Sequence, residues 1–229
     1  MYQIKCDDAV LLDLRDSSFI VSSPKLTLEV NKACEASFNI FASHPNYDKL
    51  RMMRSVFEIS DDNEVLFRGR MTDRTIYINK GKAVDLEGSA AFFNDSIVKP
   101  FDFPTECAMD ENYIAAAESG NVVEYFLNWI IENHNSQVQD FQKLYLGKVT
   151  VTDPNNYITR SSEKILSSWK CIEEKLFNSS LGGFLYISYK GDKAYVNYVE
   201  EFELTNTQEI TYREILLDLK DSCDASTTY

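Results

Sequence analysis

Residues 26–96 read LTLEVNKACEASFNIFASHPNYDKLRMMRSVFEISDDNEVLFRGRMTDRTIYINKGKAVDLEGSAAFFNDS, and their pattern decides the fold. Leu26, Leu28 and Val30 alternate with Thr27 and Glu29, the period-two signature of a half-buried strand. Ser37–Phe41 reads as the next strand, with Phe38 and Ile40 on one side. Val56–Ser60 and Val65–Arg70 predict a hairpin about Asp61-Asp62-Asn63. Arg74–Asn79 and Ala83–Glu87 predict another about Lys80-Gly81-Lys82, where glycine supplies the positive φ. Asp48–Met53 suits a helical turn and Ala90–Asn94 a short helix that leaves the sheet. Upstream, Tyr2–Lys5 and Ala9–Leu12 form a strand pair across Asp7-Asp8, continued by Phe19–Val21. Seven or eight short strands in this first block indicate a small β-barrel or sandwich.

The pattern changes after Ile97-Val98. Lys99–Pro104, with a proline near each end, is expected to block regular structure and to mark a boundary. Val122–His134 carries Val122, Val123, Phe126, Trp129 and Ile130 at helical spacing. Lys148–Thr152 reads as a strand. A second helix is expected from Ser161, burying Ile165, Leu166, Trp169, Ile172, Leu176 and Phe177, and stopping at Gly182-Gly183. Phe184–Tyr189 and Ala194–Val199 form a hairpin about Lys190-Gly191-Asp192. The predicted fold is therefore mixed β and α+β: a β-barrel over residues 1–98, then an α+β unit of two helices and a β-hairpin over 99–205. Residues 206–229, with a turn or helix at Thr211–Leu219, form a third segment.

The chain has 229 residues, 44% of them hydrophobic and 26% charged, as a globular core requires. A net charge of −13 disfavours nonspecific nucleic-acid binding, which needs a positive surface. Lys49, Arg51 and Arg54 are read as a solvated turn. The five cysteines are odd in number, widely spaced and without CxxC, which fits reduced thiols. MYQIKCDDAV lacks the apolar stretch of a secretory signal, and no apolar run approaches the length of a membrane span.

No site for catalysis, cofactor or metal is predicted. P-loop, GxGxxG, HExxH and GxSxG are absent. Cys34 and His44 are weighed as a cysteine–histidine pair and read instead as a buried thiol and a loop imidazole. Asp61-Asp62-Asn63-Glu64 has oxygen ligands for calcium but lacks the glycine and distal glutamate of an EF-hand loop, so it is read as a turn. Tyr186, Tyr189, Tyr195 and Tyr198 are weighed as a sugar platform and read as sheet core and cross-strand pairs. Trp129 and Trp169 are expected to anchor the second core.

Glu29-Val30-Asn31, Ser37-Phe38, His44-Pro45-Asn46-Tyr47 and Val65–Arg70, followed by Leu86-Glu87-Gly88 and Ala91–Ser96, resemble the N-terminal region of phage tail-associated structural proteins. Gln208–Tyr212 with Leu216–Leu219 is similar to the passage towards a second tube barrel in the same family, the baseplate hub or prophage endopeptidase-tail proteins. The resemblance implies a tube domain, a homotrimeric ring about a channel, and a place in the virion tail between tube and tip. It implies the distal tail protein and tube or tape-measure components as partners, with no cofactor and no membrane insertion. It also implies that the second barrel is truncated here, and that any cell-wall hydrolase lies in a further C-terminal extension. The channel face is expected to be polar and acidic. A cell-wall peptidase or glycosidase, or a glycan-binding module, is the alternative; zymography and a glycan array separate them.

Overall fold

The computed structural model describes residues 1–62, 64–77, 81–103, 111, 115, 118, 121–153, 160–177 and 181–202. It is mixed β and α+β. Seven strands make one antiparallel sheet: β1 (Tyr2–Cys6), β2 (Ala9–Asp13), β3 (Ser22–Thr27), β4 (Glu35–Ile40), β5 (Val56–Asp61), β6 (Glu64–Tyr77) and β7 (Gly81–Gly88). Their order is β2-β1-β5-β6-β7-β4-β3. Both predicted hairpins are present, and β6 serves both, pairing with β5 through its first half and with β7 through its second. β3 ends three residues before the predicted Val30, and Phe19–Val21 is not a strand. The turn after β4 is a 3-10 turn at Tyr47–Lys49.

Alternation places Ile4, Phe38, Phe57, Phe67, Met71, Val84 and Leu86 on one face, all nearly fully buried. Each such side chain contributes about 1.5–3 kcal/mol when taken out of water. The sheet curls, so β2 and β3 line one common groove, but they do not pair. The expected barrel is thus a half-barrel. The reason lies at the edges. On β2, the Val10 carbonyl accepts from Asn46 Nδ2 (2.8 Å) and the Leu11 carbonyl lies 2.9 Å from His44 Nε2. On β3, Ser23 has φ +50°, the register slips between Ser22 and Lys25, and Pro24 has no N–H to offer.

Gly69 is where β6 comes closest to β7. A Cβ there would lie 2.1 Å from the Glu87 carbonyl oxygen. Gly69→Ala is expected to cost about 1–3 kcal/mol through overpacking, read as a lowered urea midpoint.

A 3-10 segment, Ser89–Asp95, leads out of the half-barrel and inserts Phe93 into the second core. That core is built on α1 (Val122–Asn135), within one residue of the prediction. The predicted block at Lys99–Pro104 contains β9 (Phe101–Phe103), which pairs with β11 (Arg160–Ser162). β8 (Ile97–Val98) pairs with β12 (Leu166–Ser167). The second helix starts later than predicted: α2 is Ser168–Ile172, extended by a π turn to Phe177. The Ser167 hydroxyl caps it by accepting from Lys170 N at 3.1 Å, whereas Ser162 closes a local turn with Lys164. Ile165, expected inside, is 62% exposed. The hairpin β13 (Phe184–Lys190) and β14 (Lys193–Val199) forms as predicted, whereas the strand expected over Lys148–Thr152 is β10 (Leu144–Val149), which starts four residues earlier and lies parallel to β14. Cys107, Cys223 and the segment 206–229 lie outside the described residues.

Candidate functional site

Chemistry-bearing side chains concentrate at the seam between half-barrel and α+β unit. Arg70 on β6 is 5% exposed. Its Nε donates to Glu87 Oε1 at 2.7 Å, and its two terminal nitrogens bind both oxygens of Asp95. Its guanidinium also lies over the Phe92 ring, 5.3 Å from the centroid. Burial works against this charge, but the Asp95 and Glu87 carboxylates more than offset it and hold Arg70 above its ordinary value.

The network continues inward. Gln142 Nε2 donates to Asp95, and the Gln142 carbonyl meets His134 Nε2 at 3.0 Å. A carbonyl only accepts, so Nε2 carries the proton and Nδ1 is the acceptor. Nδ1 then takes the Ser96 hydroxyl proton at 2.7 Å, and Ser96 Oγ in turn accepts from Ser168 Oγ at 2.7 Å. Glu87, Arg70, Asp95, Gln142, His134, Ser96 and Ser168 thus form one chain from β7 to α2. Burial pushes the His134 imidazole down, partly countered by the Gln142 carbonyl and the Asp95 charge. His134 is fully buried and Ser96 is 1% exposed. This serine–histidine contact, buried on both sides, braces the seam.

Two further contacts fasten the seam. Arg68 reaches the Gly191 carbonyl at 3.1 Å, pairs with Glu58 and lies over Tyr189, whose hydroxyl donates to the Arg68 carbonyl at 3.2 Å. Asn31 acts as a one-residue strand on the free edge of β13. Its N–H donates to the Leu185 carbonyl at 2.8 Å, and its Oδ1 accepts from Leu185 N at 2.7 Å. Asn31 has φ +59°, a conformation asparagine tolerates better than most residues. Asn31→Ala is expected to cost about 1–3 kcal/mol and to deprotect the Leu185 amide in hydrogen exchange. The Asn135 side chain holds Leu144 on β10 in a similar way, its Nδ2 donating to the Leu144 carbonyl at 2.7 Å and its Oδ1 accepting from Leu144 N at 2.9 Å.

The residues weighed from sequence are not brought together as sites. Cys34 Sγ contacts the backbone of Glu29, while both His44 nitrogens are engaged, with Leu11 O and Asn46 N. Burial pushes the Cys6 thiol up to about 11 and Cys171 up to about 12. Asp61 and Asp62 turn to the Met1 ammonium, and Asn63 lies outside the described residues. No cluster of metal-ligating side chains occurs among the described residues. Gly182 and Gly183 have φ +69° and +92°, as a chain reversal needs. The tyrosine group splits: Tyr198 is core and Tyr189 reaches into the seam, while Tyr186 and Tyr195 are half-buried. Tyr145, unremarked in the sequence, pairs with Tyr195 at 5.9 Å. Trp129 packs on Phe126 and Phe101, and Trp169 edge-on to Phe177. Lys49, Arg51 and Arg54 surround a shallow depression together with Asp7, Asp8 and Asp48. On the polar face of the half-barrel, Glu35, Asp85 and Glu87 line a depression together with Lys25.

No family model and no curated protein matches this chain. Among solved structures it is similar to a 43 kDa tail protein of prophage MuSo2 from Shewanella oneidensis, with a TM-score of 0.44 and 7% identity. The match covers 86% of this chain and 52% of that one, so this chain spans about half the length of that protein. At this level the likeness is one of coarse outline. Among the described residues, no helix is long and apolar enough to cross a membrane.

Proposed function

We propose that this chain is a structural component of a phage or prophage tail: a baseplate-hub subunit that joins tube to tip as part of a trimeric ring around the channel. The observation that carries the reading is where the residues of the resemblance lie. Asn31, from the first motif, holds β13. Arg68, Gly69 and Arg70, from the Val65–Arg70 motif, fasten β6 to β7 and to the seam. Gly88 sits against the Ala33 carbonyl, where a Cβ would lie 2.2 Å away, and Asp95 and Ser96 head the buried network. These motifs are explained by a rigid joint between two units, which suits a part that transmits force and position.

The ring would form by sheet edges and hairpins meeting neighbouring copies, with the distal tail protein and tube or tape-measure components above and below. In this reading the chain itself makes and breaks no bond, and the mature protein resides in the virion tail. Co-purification of the tagged chain with the distal tail protein of the same phage tests the placement. Recovery of a stoichiometric complex supports it, and failure to form one at micromolar concentrations counts against it.

A further inference from the structure

The half-barrel carries unlike surfaces at its two ends, and the six residues of β5 run about 17 Å between them. Val56, at the start of β5, follows a tight turn. In it the Arg51 carbonyl accepts from Ser55 N at 3.1 Å, and Met53 N donates to the Met71 carbonyl at 3.0 Å. Met53 is held at φ +59°, uncommon for a residue other than glycine. The turn leaves Met52 and Met53 47% and 44% exposed between Arg51 and Arg54. Neither arginine makes an ion pair among the described residues. Of the nearby carboxylates, Asp7 Oδ1 accepts from Val56 N at 2.9 Å, while Asp8 and Asp48 share a shallow depression with Lys49 and the arginines. That end is thus close to neutral as a whole, with a cationic, methionine-tipped turn projecting from it.

The other end is acidic and hollow. Asp61 at the end of β5 lies opposite Tyr2 and Glu64. Asp13, Asp16, Asp61, Asp62 and Glu64 gather there against two cations, the Met1 ammonium and Arg15. An apolar groove of about 530 Å³ between β2 and β3 is walled by Tyr2, Leu12, Leu14, Leu28 and Leu66. Asp13 stands between Leu12 and Leu14, and Tyr2 is the partner of Asp61, so the carboxylates rim this groove. Lys25, on the β3 side, is the one charged side chain on its wall.

The turn and the groove are complementary in both charge and apolar character, and unbranched methionines fill irregular gaps well. Within one chain they cannot meet, because β5 stands between them. We propose that copies of this chain bind head to tail. The turn of one copy seats Met52 and Met53 in the groove of the next, against Leu14 and Leu28, with Arg51 and Arg54 facing the carboxylates of its rim. Because the two surfaces differ, the contact is heterologous, and repeating it ends only when a ring closes. It rests on the hub reading for closure at three copies, and it names the faces that meet in that ring.

Sedimentation equilibrium on two variants of the full chain, each broken at one face, tests the contact. Leu14→Asp puts a charge in the groove; Met52→Asp with Met53→Asp removes the apolar tip. All three side chains are exposed, and aspartate tolerates the positive φ at position 53, so an unchanged urea midpoint is expected as the folding control. Each variant alone should self-associate at least about tenfold more weakly than the unmodified chain. An equimolar mixture of the two should form a pair of twice 26.3 kDa and nothing larger, since one intact turn meets one intact groove. Undiminished self-association of either variant, or a mixture that yields no pair, would overturn the contact and leave the hub reading standing. An unmodified chain that stays single at every soluble concentration would overturn it too, and co-purification with the distal tail protein then decides the hub reading separately.

Discussion

Replacing Arg70 with alanine should lower the unfolding free energy by about 3–5 kcal/mol, seen as a lower urea midpoint at an unchanged slope. The side chain is nearly buried, and its loss strands two partly buried carboxylates, Glu87 and Asp95, that have turned towards it. It also removes the cation over Phe92 and loosens Asp95, through which Gln142 and His134 are held. Arg70→Lys should recover only part of the loss, because an ammonium cannot serve Nε and both terminal contacts at once. A loss below about 1 kcal/mol for Arg70→Ala would mean that the seam does not depend on this pair.

His134 should make stability depend on pH. Burial holds the folded imidazole below its ordinary value, while in the unfolded chain it titrates near pH ~6.5. Between those two values the unfolded state binds more protons than the folded state. This contribution to stability is therefore complete above about pH 6.5 and falls as the pH drops towards the folded value. His134→Gln should flatten that slope below about pH 6.5. His134→Ala should cost about 3 kcal/mol at neutral pH, because it opens a cavity and leaves Ser96 and the Gln142 carbonyl without a partner. Urea titrations of the three proteins across that pH range measure both effects.

The sequence made the half-barrel legible because its strands have one buried face and strong turn chemistry. Alternation in Val56–Ser60 and Ala83–Glu87, with a glycine at position 81, located both hairpins. The open edges were not legible. Whether β2 meets β3 depends on His44 and Asn46 reaching β2 from a loop more than 30 residues away, and no local pattern encodes that contact. The second helix was placed early because Ser161-Ser162-Glu163 and Ser167-Ser168 both resemble helix starts. Tertiary pairing of Arg160–Ser162 with β9 decided between them. The buried network left one sequence signal: His134 follows Val123, Leu127 and Ile130 along the apolar stripe of α1, where an imidazole must find partners. Its partners Ser96, Gln142 and Ser168 are dispersed along the chain, and only the fold brings them together.

The mass of the purified chain in solution, measured by sedimentation equilibrium over a wide concentration range, tests the central claim most directly. A hub subunit should assemble to three times the 26.3 kDa of one chain. A single-chain mass up to the highest soluble concentration, in protein that also clears a cell-wall zymogram, would contradict the account.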